Sequence, residues 1–362
     1  MEIVIIISII ALLFTWTESH ANFKYGMLCG FFLITLLGCI HYMYGNDYLE
    51  YMNIFKTIGT YRKGILGFFD GTLSEESGWL LVNYIFQPFG FFTLVAAHSI
   101  VVNTFYYRFI RTNVSKEYWT LSVFIYLFTA NLYLLHFSML RQSLAMAICL
   151  MSWSFIRNRR VFTAISIVLL ASLFHKSACI FLPFVILGYF HFEKGWKIGV
   201  LIMIVILLIY VSDEYFVDFF LFLSDFEILE DYVRYGRQEM KEVSYGLGFI
   251  LRIIPLFIFV YTLTRNVLNN TQKQLGLVAC VSYFFIPFSF IIPMINRIGF
   301  YFEAYSVAGI PVIYSSINNV VIRRSMICFY VLFVLYQYNL FFTNDIWTPY
   351  YSNFRTIFET WF

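Results

Sequence analysis

Apolar runs close to 20 residues long alternate with short polar turns along almost the whole chain. Runs of that length, bounded by charged or turn-forming residues, read as membrane-spanning helices. The pattern predicts twelve spans, over residues 2–17, 25–44, 78–107, 117–136, 138–156, 161–175, 177–190, 195–211, 246–264, 275–294, 298–317 and 325–342. The third run is long enough to include a re-entrant or interfacial piece. Two longer polar stretches, 45–77 and 212–245, separate groups of spans. With no heptad, soluble domain, flexible linker or internal repeat, the expected organisation is one integral-membrane domain over residues 1–362.

Composition agrees with the pattern. The chain is 60% hydrophobic and 22% aromatic but only 12% charged, more apolar side chain than a soluble protein of this length could cover. The first run lacks a basic region before it, so it is expected to persist as a helix. Six cysteines lie in or beside apolar runs without ligand-like pairing, as small packing residues do.

Charge placement orients the spans. Alternate loops carry 13 of the 24 basic residues and only three of the 21 acids, and the opposite loops carry the rest. The positive-inside rule makes the basic face cytoplasmic, so both termini and both long polar stretches face outward, periplasmic in a bacterium. The asymmetry describes topology and gives no reason to expect a nucleic-acid partner. Asn113-Val-Ser and Asn269-Asn-Thr match glycosylation acceptors but fall on the basic face and are discounted.

The stretch His136–Phe181 reads as two apolar helices hinged at a cationic turn, Arg157, Arg159 and Arg160. Arg141 and His175 lie at the open ends, each about 15 residues from the turn, or ~22 Å at about 1.5 Å per residue. Both therefore return to one depth, near the outer leaflet. Lys176 follows His175. Arg252 lies one turn into a later span, and Arg297 begins another, sharing a face with Tyr301 and Tyr305 at i, i+4, i+8 spacing while Glu303 lies elsewhere. Taken singly, each arginine is explained by snorkelling to headgroups. Several together on the acidic outer face instead suggest polyanion binding, because guanidinium groups fork onto phosphate oxygens at any working pH. A lipid-borne diphosphate is the natural ligand for Arg141, Arg252, Arg297 and Lys176. His175 can be read as a packed structural residue or as a base taking a proton from a sugar hydroxyl. His41, His98 and His136 are expected to pack or to face headgroups.

The stretch around GNDYLEYMN groups Asp47, Tyr48, Glu50 and Tyr51, and EESGW places Glu76 and Trp79 just before a span. Carboxylates beside aromatic rings suit carbohydrate, so Asp47, Tyr48, Glu76, Trp79 and Tyr301 are candidate sugar contacts. The alternative is an interfacial segment with an aromatic belt. No His/Asp/Glu cluster has metal-ligand spacing and no Gly-rich phosphate loop follows a strand, so a reaction without metal, nucleotide or other cofactor is expected.

GNDYLEY, ESGW, LRQSLAMAI and ASLFHKSA, in this order and spacing over about residues 40–185, resemble the EpsG family of polysaccharide polymerases, which includes O-antigen polymerases of the Wzy type. NRIGFYFEAY fits a later arginine-bearing helix of that family. The resemblance implies an all-α polytopic membrane glycosyltransferase, GT-C-like, in the bacterial inner membrane with its site facing the periplasm. It places Arg141 at the start of the R-Q helix and His175 in the F-H motif, puts Asp47 and Glu76 on acidic positions, and assigns Arg252 no motif. The implied reaction moves a growing glycan from undecaprenyl diphosphate onto a lipid-linked repeat unit. Donor, acceptor, membrane lipid and a chain-length regulator protein are the implied partners. A repeat-unit flippase, a glycan O-acyltransferase and an O-antigen ligase stay open as other readings. A flippase is expected to show two-fold repeated halves, and none are visible in the sequence.

Overall fold

The computed structural model describes residues 1–21, 23–60, 67, 75–191, 247–265, 267–285 and 296–360. The predicted span 195–211 and the polar stretch 212–245 lie outside the described residues, as do residues 61–66 and 68–74 of the first polar stretch and the end of the span 275–294. Among the described residues the chain is all-α apart from one two-residue strand pair, and it divides into two compact units. The first holds Met1–Ser152, Ile165–Cys179 and Leu332–Phe362; the second holds Trp153–Ala164 and Ile180–Val331.

In the first unit, α1 (Glu2–His20) packs on α2 (Gly26–Ile40). Its buried face is Val4, Ser8, Ala11 and Thr15, a stripe of mostly small side chains that lets helices approach closely. Glu18 ends that stripe in the interior, where its carboxylate accepts from Met27 N at 2.8 Å and from Arg111 Nη1 at 3.3 Å. Arg111 in turn lies over the Trp119 ring. After α2 come the strand β1 (His41–Tyr42) and α3 (Tyr48–Thr60), so part of the predicted polar stretch is helical.

The predicted span 78–107 is two helices, α4 (Ser77–Phe86) and α5 (Phe91–Asn113), joined by a 3-10 turn. Pro88 lies in that turn, where it removes a backbone donor and ends the regular helix. The chain continues through α6 (Trp119–Phe128), α7 (Leu135–Ser138), α8 (Leu140–Arg157) and α9 (Val161–Ser172). Between α8 and α9, Arg159 takes a left-handed φ of 58° to close the turn. The predicted span 177–190 is a 3-10 helix, Lys176–Tyr189, with Pro183 inside it.

The second unit contains α10 (Leu247–Thr264), α11 (Asn270–Val281), α12 (Asn296–Glu303) and α13 (Ser306–Ser315). The predicted span 298–317 is thus broken at Ala304–Tyr305. Asn269, discounted above as a glycosylation acceptor, is the N-cap of α11: it accepts from Gln272 N at 2.9 Å while Gln272 returns its side chain to Asn269 N. Phe181 stacks on Tyr305, and Phe184 and Phe285 meet Phe302, so aromatic rings fill this unit's core.

α14 (Val320–Phe342) is the other long apolar helix, followed by α15 (Thr348–Tyr351) and β2 (Arg355–Thr356), which pairs antiparallel with β1. Among the described residues, α1 and α14 are the helices long and apolar enough to cross a membrane; the others are shorter, and so the structure does not carry a count of twelve spans. Ile3, Ile6, Ile9, Leu13 and Trp16 of α1 and Val321, Leu332 and Tyr336 of α14 are exposed. Such apolar outer surfaces are costly in water and matched in lipid.

Candidate functional site

Four sequence motifs that are far apart along the chain meet in the first unit. α4 begins at Ser77 with Glu76 as its N-cap residue, and α9 ends at Ser172. Gly78 N donates to Leu173 O at 2.8 Å, tying the first turn of α4 to the frayed end of α9. A Cβ on Gly78 would lie 2.7 Å from that same oxygen, so only glycine allows the approach. His175 lies at the joint between α9 and the following 3-10 helix, with His175 N bonded to Ala171 O.

The close approach brings Glu76 against both basic groups. Glu76 Oε1 accepts from His175 Nδ1 at 3.0 Å, with Lys176 N at 3.4 Å, and Glu76 Oε2 accepts from Arg141 Nη1 at 2.7 Å. Arg141 Nη1 also donates to Glu75 Oε2. The guanidinium lies over the Tyr51 ring, 5.8 Å from its centroid, and Tyr51 meets the Trp79 ring edge-on. Glu76 is 10% exposed and the Arg141 and His175 side chains 23% and 20%, so solvent reaches the two basic groups more than the carboxylate between them.

Supporting contacts fix the frame. His98 Nε2 lies 3.0 Å from both Leu140 O and Ser143 Oγ, in the first turn of α8 that also carries Arg141. Gly45 adopts a φ of 108°, and a Cβ there would lie 2.4 Å from Phe137 O. This turn sends Gly45 N to Tyr350 O and lets Asn46 Oδ1 accept from Ser138 Oγ, next to α8. Asn46 Nδ2 donates to Asp47 Oδ1, and Asp47 O accepts from Tyr51 N in the first turn of α3.

Electrostatics separate the two adjacent carboxylates. Burial works to raise the Glu76 pKa, but the His175 hydrogen bond and the Arg141 charge outweigh it and bring the group down to about 2. Glu75 shares the arginine but lacks a histidine partner. Burial is its largest influence, the neighbouring Glu76 and Glu50 add to it, and its pKa is raised. Glu76 is therefore a fixed anion, and Glu75 is the more easily neutralised partner.

The sequence expectations divide accordingly. Arg141, His175 and Glu76 come together, with Lys176 beside them through its backbone and its side chain exposed. Both Glu76 oxygens are already occupied by protein donors, so the expected sugar contact is replaced here by a bridge between two basic groups. Tyr48, Trp79 and Tyr301 were expected to offer faces to sugar, but they are 1%, 1% and 0% exposed. Tyr48 OH bonds His41 O and Trp79 packs on Tyr51, so these rings act as core residues in this arrangement. Asp47 is half-buried. Arg297, half-buried on α12, and Arg252, on α10 with its side chain outside the description, belong to the second unit. His41, His98 and His136 are buried, as expected for packing residues.

Glu75, Gly78 and Gly45 were not singled out from sequence as site-forming. The doublet Glu75-Glu76, preceding a helix on the face that also carries outward arginines, was the available signal for the first. The glycines needed a tertiary contact to explain them.

The profile of the EpsG family matches residues 24–352, nearly the whole chain and all four motifs. No curated protein and no solved structure matches the chain.

Proposed function

The chain belongs to the EpsG family, the Wzy-like polysaccharide polymerases, and on that premise we propose that this membrane protein is a glycosyltransferase that polymerises lipid-linked repeat units of a surface polysaccharide. The donor is a growing glycan on undecaprenyl diphosphate and the acceptor is a newly delivered repeat unit, as in O-antigen polymerisation. The protein crosses the bacterial inner membrane several times, with both termini and the site on the periplasmic side. A chain-length regulator is a partner of such a polymerase.

The observation that carries this reading is the convergence of Arg141 and His175 on Glu76 in the first unit. In the reaction, the acceptor hydroxyl oxygen attacks the anomeric carbon of the donor glycan. The bond from that carbon to the diphosphate oxygen breaks, and its electron pair leaves with the diphosphate. The hydroxyl proton passes to His175 Nε2. Charge grows on the departing diphosphate, and a preorganised guanidinium in a partly dry site stabilises it. Arg141 supplies that charge without a metal, and a phosphate oxygen takes the place that Glu75 holds in the free protein. Lys176 extends the cationic rim, and Asp47 contributes to sugar binding.

The test is complementation of a deletion strain, read on a polysaccharide gel. Arg141→Ala and His175→Ala should remain in the membrane and give surface glycan with a single repeat unit. A normal ladder of long chains from both variants would overturn the mechanism. Repeat units stranded inside the cell would instead identify a flippase.

A further inference from the structure

We propose that Glu76 is the positioning residue that makes His175 a base: its carboxylate binds Nδ1, fixes the imidazole tautomer, and leaves the Nε2 lone pair for the acceptor hydroxyl. This inference rests on the polymerase reading above and assigns Glu76 a role different from sugar binding.

A carboxylate has only acceptors to offer, so the 3.0 Å contact with His175 Nδ1 requires the proton to be on that nitrogen. In a neutral imidazole the other nitrogen is then the acceptor. Among the described residues, no protein group bonds Nε2. The ring is held in place as well as protonated in one way, because Lys176 N approaches the same oxygen and Gly78 N anchors the end of α9. When Nε2 takes the hydroxyl proton, the ring becomes a cation directly against an anion that stays ionised. Arg141 occupies the other oxygen, Oε2, and keeps the carboxylate from rotating away from the histidine. The adjacent acid has no such arrangement: Glu75 bonds Arg141 but not the histidine. Asp47 lies near Tyr51, and Glu50 lies near Glu75. One carboxylate therefore ties the diphosphate-binding group to the base, and a mispositioned donor would disturb both.

The test uses the full chain in lipid nanodiscs, with lipid-linked repeat units isolated from the deletion strain as donor and acceptor. Glu76→Gln keeps the side-chain volume but removes the charge. Turnover should fall on the order of 100-fold, with KM changed less than about threefold, because a base is used only in the transition state. In protein labelled with 15N in its histidine rings, with His175 assigned by difference from His175→Ala, the wild type should show the Nδ1–H tautomer and Glu76→Gln should lose that preference. A wild-type His175 protonated on Nε2 alone would overturn the proposal. Unchanged turnover in Glu76→Gln beside an inactive His175→Ala would also overturn it while leaving the polymerase mechanism standing. A fully active His175→Ala would remove the mechanism itself.

Discussion

Gly78→Ala tests the contact on which the site depends. The new Cβ would lie 2.7 Å from Leu173 O, 2.8 Å from Leu173 Cβ and 2.9 Å from Leu173 C, where ordinary contacts begin at 3.4 Å. Two of those three atoms are backbone, so a rotamer change cannot relieve the clash. Separating the α4 turn from the end of α9 by about 0.7 Å would restore contact distance, and it would stretch the Gly78–Leu173 hydrogen bond from 2.8 Å to about 3.5 Å, past the useful range. The same movement carries Glu76 away from His175 Nδ1, from 3.0 Å to about 3.7 Å. A lost hydrogen bond costs ~1 kcal/mol and overpacking ~1–3 kcal/mol, against a helix-propensity gain of up to ~1 kcal/mol. The net loss is about 1–3 kcal/mol of stability. A misplacement approaching 1 Å costs on the order of 100-fold in rate, so the functional loss should exceed the structural one. Thermal unfolding in detergent reads the first quantity and the polymer ladder of the complemented strain reads the second. Wild-type ladders together with an unchanged unfolding midpoint would refute the close approach of α4 and α9.

Three further outcomes follow from the same geometry. The Glu76 pKa is lowered from 4.5 to about 2, so its contribution of ~3 kcal/mol is complete above pH 4.5 and lost as pH falls towards 2; acid-unfolding curves of wild type and Glu76→Gln should converge across that window, and parallel curves would contradict it. Glu75 is shifted the other way, so Glu75→Gln should gain stability at neutral pH and, by freeing Arg141, lower the KM for the lipid-linked donor; a raised KM with unchanged turnover would show that Glu75 is not the group displaced. Arg141→Lys should give single-repeat glycan as Arg141→Ala does, because a lysine carries its charge at a point and lacks the planar fork that lies over the Tyr51 ring and matches phosphate oxygens; a full ladder from the lysine variant would count against the guanidinium role.

The helical class, the family and the Arg141–His175 pairing were legible in the sequence because each has a one-dimensional signature: apolar run length, motif order, and equal path lengths from a basic turn. Arg157 ends α8 and Val161 begins α9, close to the predicted limits. Breaks inside spans were harder. Pro88 and Pro183 sit within apolar runs whose hydropathy does not record the missing donor, and Ala304–Tyr305 interrupts a run that carries no proline at that point. Glu76, Trp79 and Tyr48 bond or pack against protein groups in the structure, an arrangement the sequence does not reveal. Acid-plus-aromatic composition is the same whether the groups face a ligand or one another, and only the contact made possible by Gly78 decides between these. Glu75 differs from Glu76 solely in what folds against it, which composition cannot express.

The pairing of β1 with β2, and the bond from Gly45 N to Tyr350 O, join segments far apart along the chain. The turn that holds Asn46 against α8 is thus braced by residues far downstream in the chain. Contacts so remote in sequence form slowly and late. The motifs of the amino-terminal half can therefore enter the membrane and fold as helices while the base and its carboxylate still lack their final frame. A nascent or truncated chain without β2 would resemble the finished protein in helix content yet have a loosened Gly45–Asp47 turn.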